Sequence, residues 1–235
     1  MRKITIIFSL IVFAVSCYGR VATTQARKTE ILSEKLCGYS RSEEFIFTQF
    51  PLIGNTIGFV RARYEWWNHE NREASTITIL NDNGTVWHSF DVDTYELAER
   101  RDEWNDDFRP WAFEPTIGIF AIRVIAKSEN YYVIVVNEEK NLVKRLKKHN
   151  DLKFETIEEH LIGLLIDTYP SLNPIRETPN DNALIMHILD DMEVLTAVES
   201  KGEWIKVADV FTDRVLGWIR WRKDDRFMIW MFYSM

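Results

Sequence analysis

Residues 173–221 read NPIRETPNDNALIMHILDDMEVLTAVESKGEWIKVADVFTDRVLGWIRW, and their reading decides the fold. Val194, Ile205, Val207 and Ile219 set β-branched side chains at strand-like spacing, while Asn180-Asp181-Asn182 and Ser200-Lys201-Gly202 supply residues that turn the chain at low cost. Short apolar strands punctuated by turns predict a small β-barrel.

The same pattern extends upstream. Thr76 to Leu80 and Thr85 to Phe90 alternate as strands around Asn81-Asp82-Asn83-Gly84, which is hairpin chemistry. That run lacks the spaced carboxylates and closing Glu of a calcium loop. Phe45 and Phe47, residues 57–67, 116–126, 131–136 and 142–146 supply further strands. Thr156-Ile157-Glu158-Glu159 has capping-box spacing, and Ile157, Leu161, Leu164 and Leu165 share one helical face, so a short amphipathic helix is expected there. Glu158, Glu159 and His160 point apart on such a helix and are expected at its surface. Tyr132, Val135 and Leu146 each recur 72 residues later as Trp204, Val207 and Trp218, an internal echo between the two β regions.

The opening Asn173-Pro174-Ile175-Arg176-Glu177-Thr178-Pro179, then Gly202-Glu203-Trp204-Ile205-Lys206-Val207, then Gly217-Trp218-Ile219 resemble, in content and order, the bacterial SH3-like (SH3b) family. The resemblance implies a C-terminal SH3-like barrel whose loops and strand-end aromatics contact a peptide, peptidoglycan or another envelope protein. It carries the ligand-binding role onto Trp204, Trp218 and Trp221, with Arg176 and Glu177 in the first loop. Trp204 and Trp218 also suit a barrel core; Trp221, among Arg220, Arg222, Lys223 and Asp224, is the aromatic expected to be exposed.

At the other end Arg2 and Lys3 precede an apolar run from Ile4 to Val15, the length of a signal-peptide core rather than a membrane span. Ala14-Val15-Ser16-Cys17 is similar to the lipobox of bacterial lipoproteins, which implies acylation of Cys17 and an envelope location on a lipid anchor. Ala14 and Ser16 equally satisfy plain small-x-small cleavage. Cys37 is then either a lone thiol or, with an unacylated Cys17, the other half of a disulfide.

The expected organisation is an export signal over 1–16, a tether over 17–42, an N-terminal β domain over 43–150 ending in a diverged SH3-like half, a linking helix and linker over 151–172, and an SH3-like domain over 173–235 with an extra C-terminal strand. The fold class is all-β in the main: two small barrels or sandwiches with a short linking helix. The aromatic content, nine Trp, eight Tyr and fourteen Phe, suits barrels that must fill their interiors with few residues.

A net charge of −7 excludes non-specific binding to nucleic acid as the expected role. His69, His88, His149, His160 and His187 are dispersed, with no zinc-ligand spacing; there is no nucleophile elbow, no phosphate-cradling glycine loop and no cysteine in a peptidase setting. Neither catalytic residues, nor a metal, nor a cofactor is assigned. The function expected is a non-enzymatic envelope lipoprotein that binds through its SH3-like module. Two other readings stand beside it. One is a hydrolase in the N-terminal β domain using His88 and the cluster Asp102, Glu103, Asp106 and Asp107. The other is an inhibitor or immunity-type protein meeting a cationic enzyme with that acidic rim.

Overall fold

Asn81 opens the turn that the sequence demands there: its N–H donates to Thr85 O (2.8 Å), and Gly84 N–H returns to Asn81 O (2.9 Å). The strands on either side bury Ile77, Ile79 and Phe90, the alternate residues that the pattern sends inward. The structure, a computed structural model, describes residues 50–62, 76–91, 105–114, 119–187 and 194–233. The export signal, Cys17, the tether, Cys37, His69, Asp102 and Glu103 lie outside the described residues.

The described residues are all-β with one short helix, built as two antiparallel sheets and a small separate hairpin within one compact unit, Phe50–Met235. Sheet one holds β1 (Gly58–Ala62), β2 (Thr76–Leu80), β3 (Val86–Asp91), β4 (Ala112–Glu114), β5 (Ile119–Lys127), β6 (Tyr131–Asn137), β7 (Leu142–Lys147) and β8 (Leu152–Glu155). Its order is β3-β2-β7-β6-β5-β1-β8, with β4 also on β5. Helix α1 (Ile157–Leu161) leads into sheet two: β9 (Leu165–Asp167), β10 (Ile175–Arg176), β11 (Ile185–His187), β12 (Leu195–Lys201), β13 (Trp204–Asp209), β14 (Val215–Arg220) and β17 (Trp230–Phe232). The order there is β11-β10-β14-β13-β12-β9-β17, and a hairpin of β15 (Arg222–Lys223) and β16 (Arg226–Phe227) stands apart.

With β4 set aside and the strands of each sheet ranked along the chain, the two orders are the same. The echo in the sequence therefore has a counterpart in topology, but not in phase. Ile134 and Leu146 face the core of sheet one, whereas the residues 72 positions on, Lys206 and Trp218, lie outside the core of sheet two; Ile205, Val207 and Ile219 fill that core instead. A shift of one residue sends every side chain of a strand to the opposite face, so matched letters at that spacing are not matched positions.

Helix α1 starts with the capping box: Thr156 Oγ1 accepts from Glu159 N–H (3.2 Å), and Glu159 Oε2 accepts from Thr156 N–H (2.9 Å). It stops at Leu161, a turn before the expected Leu165. Gly163 at φ +83° leaves helical geometry, and its N–H donates to Ala197 O (2.8 Å), so the chain is already joining β12.

Strand β1 is buried on both faces. Phe59 belongs to the core of sheet two, with Leu161, Ile175, Ile205, Val207, Ile219 and Trp221, while its neighbour Val60 belongs to the core of sheet one, with Ile77, Ile122, Ile134 and Leu146. The two hydrophobic cores thus meet across a single strand.

Candidate functional site

On β13 and β14 the residues that do not face the core form an outer surface. Trp204 pairs across with Arg220, and Lys206 with Trp218, which in turn pairs with Arg176 on β10. The alternation that buries Ile205, Val207 and Ile219 forces this indole-and-cation arrangement outward. The Arg220 guanidinium sits 4.8 Å from the Trp204 ring centroid, and Lys206 Nζ sits 5.3 Å from that of Trp218. Each cation is held from its far side: Arg220 by Glu203 (2.6 Å) and Asp181, Lys206 by Glu199 (2.9 Å). The indoles are 8% and 7% exposed, so the cations form a roof over them.

The other sequence-chosen residues divide. Arg176 is half-buried and its guanidinium donates to Ala183 O (2.9 Å), tying the loop before β11 to the sheet. Glu177 is exposed. Trp221, expected to be the exposed aromatic, is instead 1% exposed: its indole N–H donates to Gly202 O (2.7 Å) and its ring packs against Phe227. Its charged neighbours belong to the solvent side, and the single residue between them points inward. The face therefore gathers Trp204, Trp218, Arg176, Lys206 and Arg220, and leaves Trp221 in the core.

A second polar cluster was not found from sequence. His160, expected on the helix surface, is fully buried and stacked on Phe59, ring centroids 4.1 Å apart. Its Nδ1 lies 3.0 Å from Glu155 Oε2 and its Nε2 lies 2.6 Å from the Tyr233 hydroxyl. A carboxylate can only accept, so Nδ1 carries the imidazole proton and Nε2 accepts from the phenol. Arg61 (3.8 Å) and Lys153 (3.2 Å) pair with Glu155. Burial lowers the pKa of His160 and outweighs the raising effect of Glu155, so the ring stays neutral. Burial pushes the Glu155 carboxyl up, but the His160 hydrogen bond, Arg61 and Lys153 together hold it below the ordinary range. The Tyr233 phenol is pushed well up by burial and keeps its proton.

The hydrogen-bond order is that of a proton relay. Its imidazole has no access to a substrate, and its phenol is the opposite of an activated nucleophile. What the cluster does is join β8, α1 and the residue after β17 at the seam between the sheets. Beside it Glu138 pairs with Arg123 (3.2 Å), whose guanidinium lies 5.7 Å from the Trp111 ring; burial raises the Glu138 carboxyl to about 7 against the opposing pull of Arg123. The only sequence signal for this cluster was the Glu155 to His160 spacing, which crosses a helix start and so escapes helical periodicity.

The residues of the hydrolase reading fall elsewhere. His88 is half-buried among the rings of Trp87, Phe90 and Phe108, and burial lowers its pKa. Asp107 is paired with Lys140, and Asp106 is exposed.

No family model matches the chain, and no curated protein matches it. Among solved structures, the structure of NlpC2 from Trichomonas vaginalis is similar at 9% sequence identity and a TM-score of 0.27, over 77% of this chain and 49% of that one. The chain spans about half the length of that solved protein, and a likeness so loose carries neither fold nor chemistry.

Proposed function

We propose that this chain is an exported, non-enzymatic envelope protein, anchored through a lipid on Cys17, whose C-terminal SH3-like module binds a peptide, peptidoglycan or envelope protein. The observation that supports this most is the outer face of sheet two. Trp204 and Trp218 lie on adjacent strands there, each paired across the ladder with a cation that is itself clipped to a carboxylate. A ligand carboxylate can replace Glu203, Asp181 or Glu199 on Arg220 or Lys206, its lost water offset by the water the released carboxylate regains, and drawing the cation aside opens the flat face of the indole to an apolar or sugar group.

The test uses the full chain with Cys17→Ser, exported in soluble form, incubated with purified sacculi and with envelope extract. Retention on one of them is expected, and the double variant Lys206→Glu, Arg220→Glu is expected to weaken it by about tenfold or more. Both side chains lie on the outer face rather than in the core, and circular dichroism of the double variant checks that a loss of retention is not a loss of fold. Retention on neither, or retention indifferent to the double variant, would sink the proposal.

A further inference from the structure

Strand β11 is the end strand of sheet two, and among the described residues no strand pairs with its outer edge. Its approach and its body are Leu184, Ile185 and Met186, which are 67%, 48% and 53% exposed. Alternation along a sheet ordinarily hides every second side chain. Three consecutive large apolar residues, all in solvent, are not explained by the packing of the described residues. A row of open backbone groups flanked by apolar side chains on both faces is the surface that an added strand covers.

Charge decides between a second copy and another protein. From Glu177 to Ser200 the sequence carries six carboxylates and neither Lys nor Arg, in a chain of net charge −7. Pairing two such edges would bring like charges face to face, which costs stability. A segment bearing Lys or Arg is attracted to the same stretch. The strand is anchored well enough to receive one: Glu177 N–H donates to Leu184 O (2.9 Å), and the Arg176 guanidinium bonds Ala183 O.

We propose that β11 is a strand-addition site for an extended apolar segment of a partner protein that carries Lys or Arg between its apolar residues. Backbone hydrogen bonds to the open edge give the register, Leu184, Ile185 and Met186 bury its apolar side chains, and Glu177 with the carboxylates that follow the strand in sequence selects its charge. This site lies on the sheet edge beside the indole face and shares Arg176 and Asp181 with it, but it does not require that face to bind a ligand.

The experiment titrates the full chain, with Cys17→Ser, against a short fluorescent peptide of alternating valine and lysine, followed by anisotropy. Two control peptides replace lysine by glutamate or carry N-methyl groups on alternate amides. Saturable binding that weakens with added salt is expected for the valine-lysine peptide, with a loss of about tenfold or more for each control. Ile185→Lys and Met186→Lys, whose side chains are in solvent, are expected to fold as the parent and to lose binding to a similar extent. The proposal is overturned if the valine-lysine peptide does not bind, if either control binds as well, or if both lysine variants bind like the parent. Sedimentation across a range of concentrations tests the other occupant: a dimer abolished by Ile185→Lys would assign the edge to a second copy and overturn the proposal equally.

Discussion

His160 is held by three groups at once, Glu155, Tyr233 and the ring of Phe59, and its burial makes each of them costly to remove. In Tyr233→Phe the buried imidazole Nε2 loses its partner. The expected cost is about 1–3 kcal/mol, read as a lower urea midpoint at unchanged slope; an unchanged midpoint would show the cluster to be idle. Glu138 works in the opposite sense. Its folded-state pKa, about 7, lies above the ordinary 4.5, so the native state binds the extra proton between those values and stability falls as pH rises through that window. The full penalty, on the order of 3 kcal/mol, is present above about pH 7. His160 titrates the other way: its lowered pKa contributes stability above the ordinary histidine range that is lost on acidification. The two oppose one another in mildly acid solution, so the parent alone does not separate them. Glu138→Gln does: it is expected to be more stable than the parent at about pH 8 and to lose that advantage near pH 5, followed by denaturant unfolding at each pH. A constant difference across the range would show that Glu138 does not titrate in the folded protein.

At the scale of the element, β14 depends on a residue with no side chain. Gly217 sits at φ +143°, and a Cβ there would lie 2.5 Å from the Arg176 carbonyl oxygen and 2.7 Å from Ile175 Cγ2. The backbones of β10 and β14 meet too closely for anything larger, and the conformation itself resists a side chain. Gly217→Ala is therefore expected to cost about 2–4 kcal/mol and to loosen β10 and β11 first, seen as faster amide exchange at Arg176 and Glu177 than in the rest of sheet two. Uniform exchange, or none, would contradict it. Asn173 shows why the arginine-turn opening matters: it is buried, its side-chain amide donates to Arg220 O (2.7 Å), and its carbonyl accepts from Arg220 N–H (2.8 Å). That clamp fixes the backbone beneath the cation that roofs Trp204. The residues quoted for the SH3-like resemblance thus include one whose work is to hold the face rather than to meet a ligand.

Across the whole molecule the two cores meet at β1, and the first described residues are strapped to the C-terminal strands. Arg226 donates to Phe50 O (2.7 Å), Phe227 N–H to Pro51 O (2.9 Å), and the rings of Phe50 and Trp230 stack at 4.3 Å. Phe59→Ala removes a fully buried ring from the core of sheet two while sitting on a strand of sheet one. The expected result is a loss of about 3–5 kcal/mol with one unfolding transition, coincident by tryptophan fluorescence and far-ultraviolet circular dichroism. Two transitions, with only one of them moved, would mean that the sheets unfold independently.

The sequence by itself determined that the chain is built from strands, where its clearest hairpin turns, and where its helix begins. Alternation, Asn-Gly turns and a capping box act between residues close in the chain, so their physics is complete in the local letters. The SH3-like resemblance also singled out Trp204 and Trp218, and the folded chain sets both on the outer face of sheet two. Which side of a strand meets solvent was decided only by the tertiary structure. Trp221 turned inward between charged neighbours, His160 vanished beneath Phe59, and the 72-residue echo proved to be out of phase, because a step of one residue reverses a strand's faces and only the packing of one sheet on another chooses between them. Glu155, His160 and Tyr233 come from three elements spread across the sheets, and no spacing along the chain encodes a meeting that the folded backbone alone brings about.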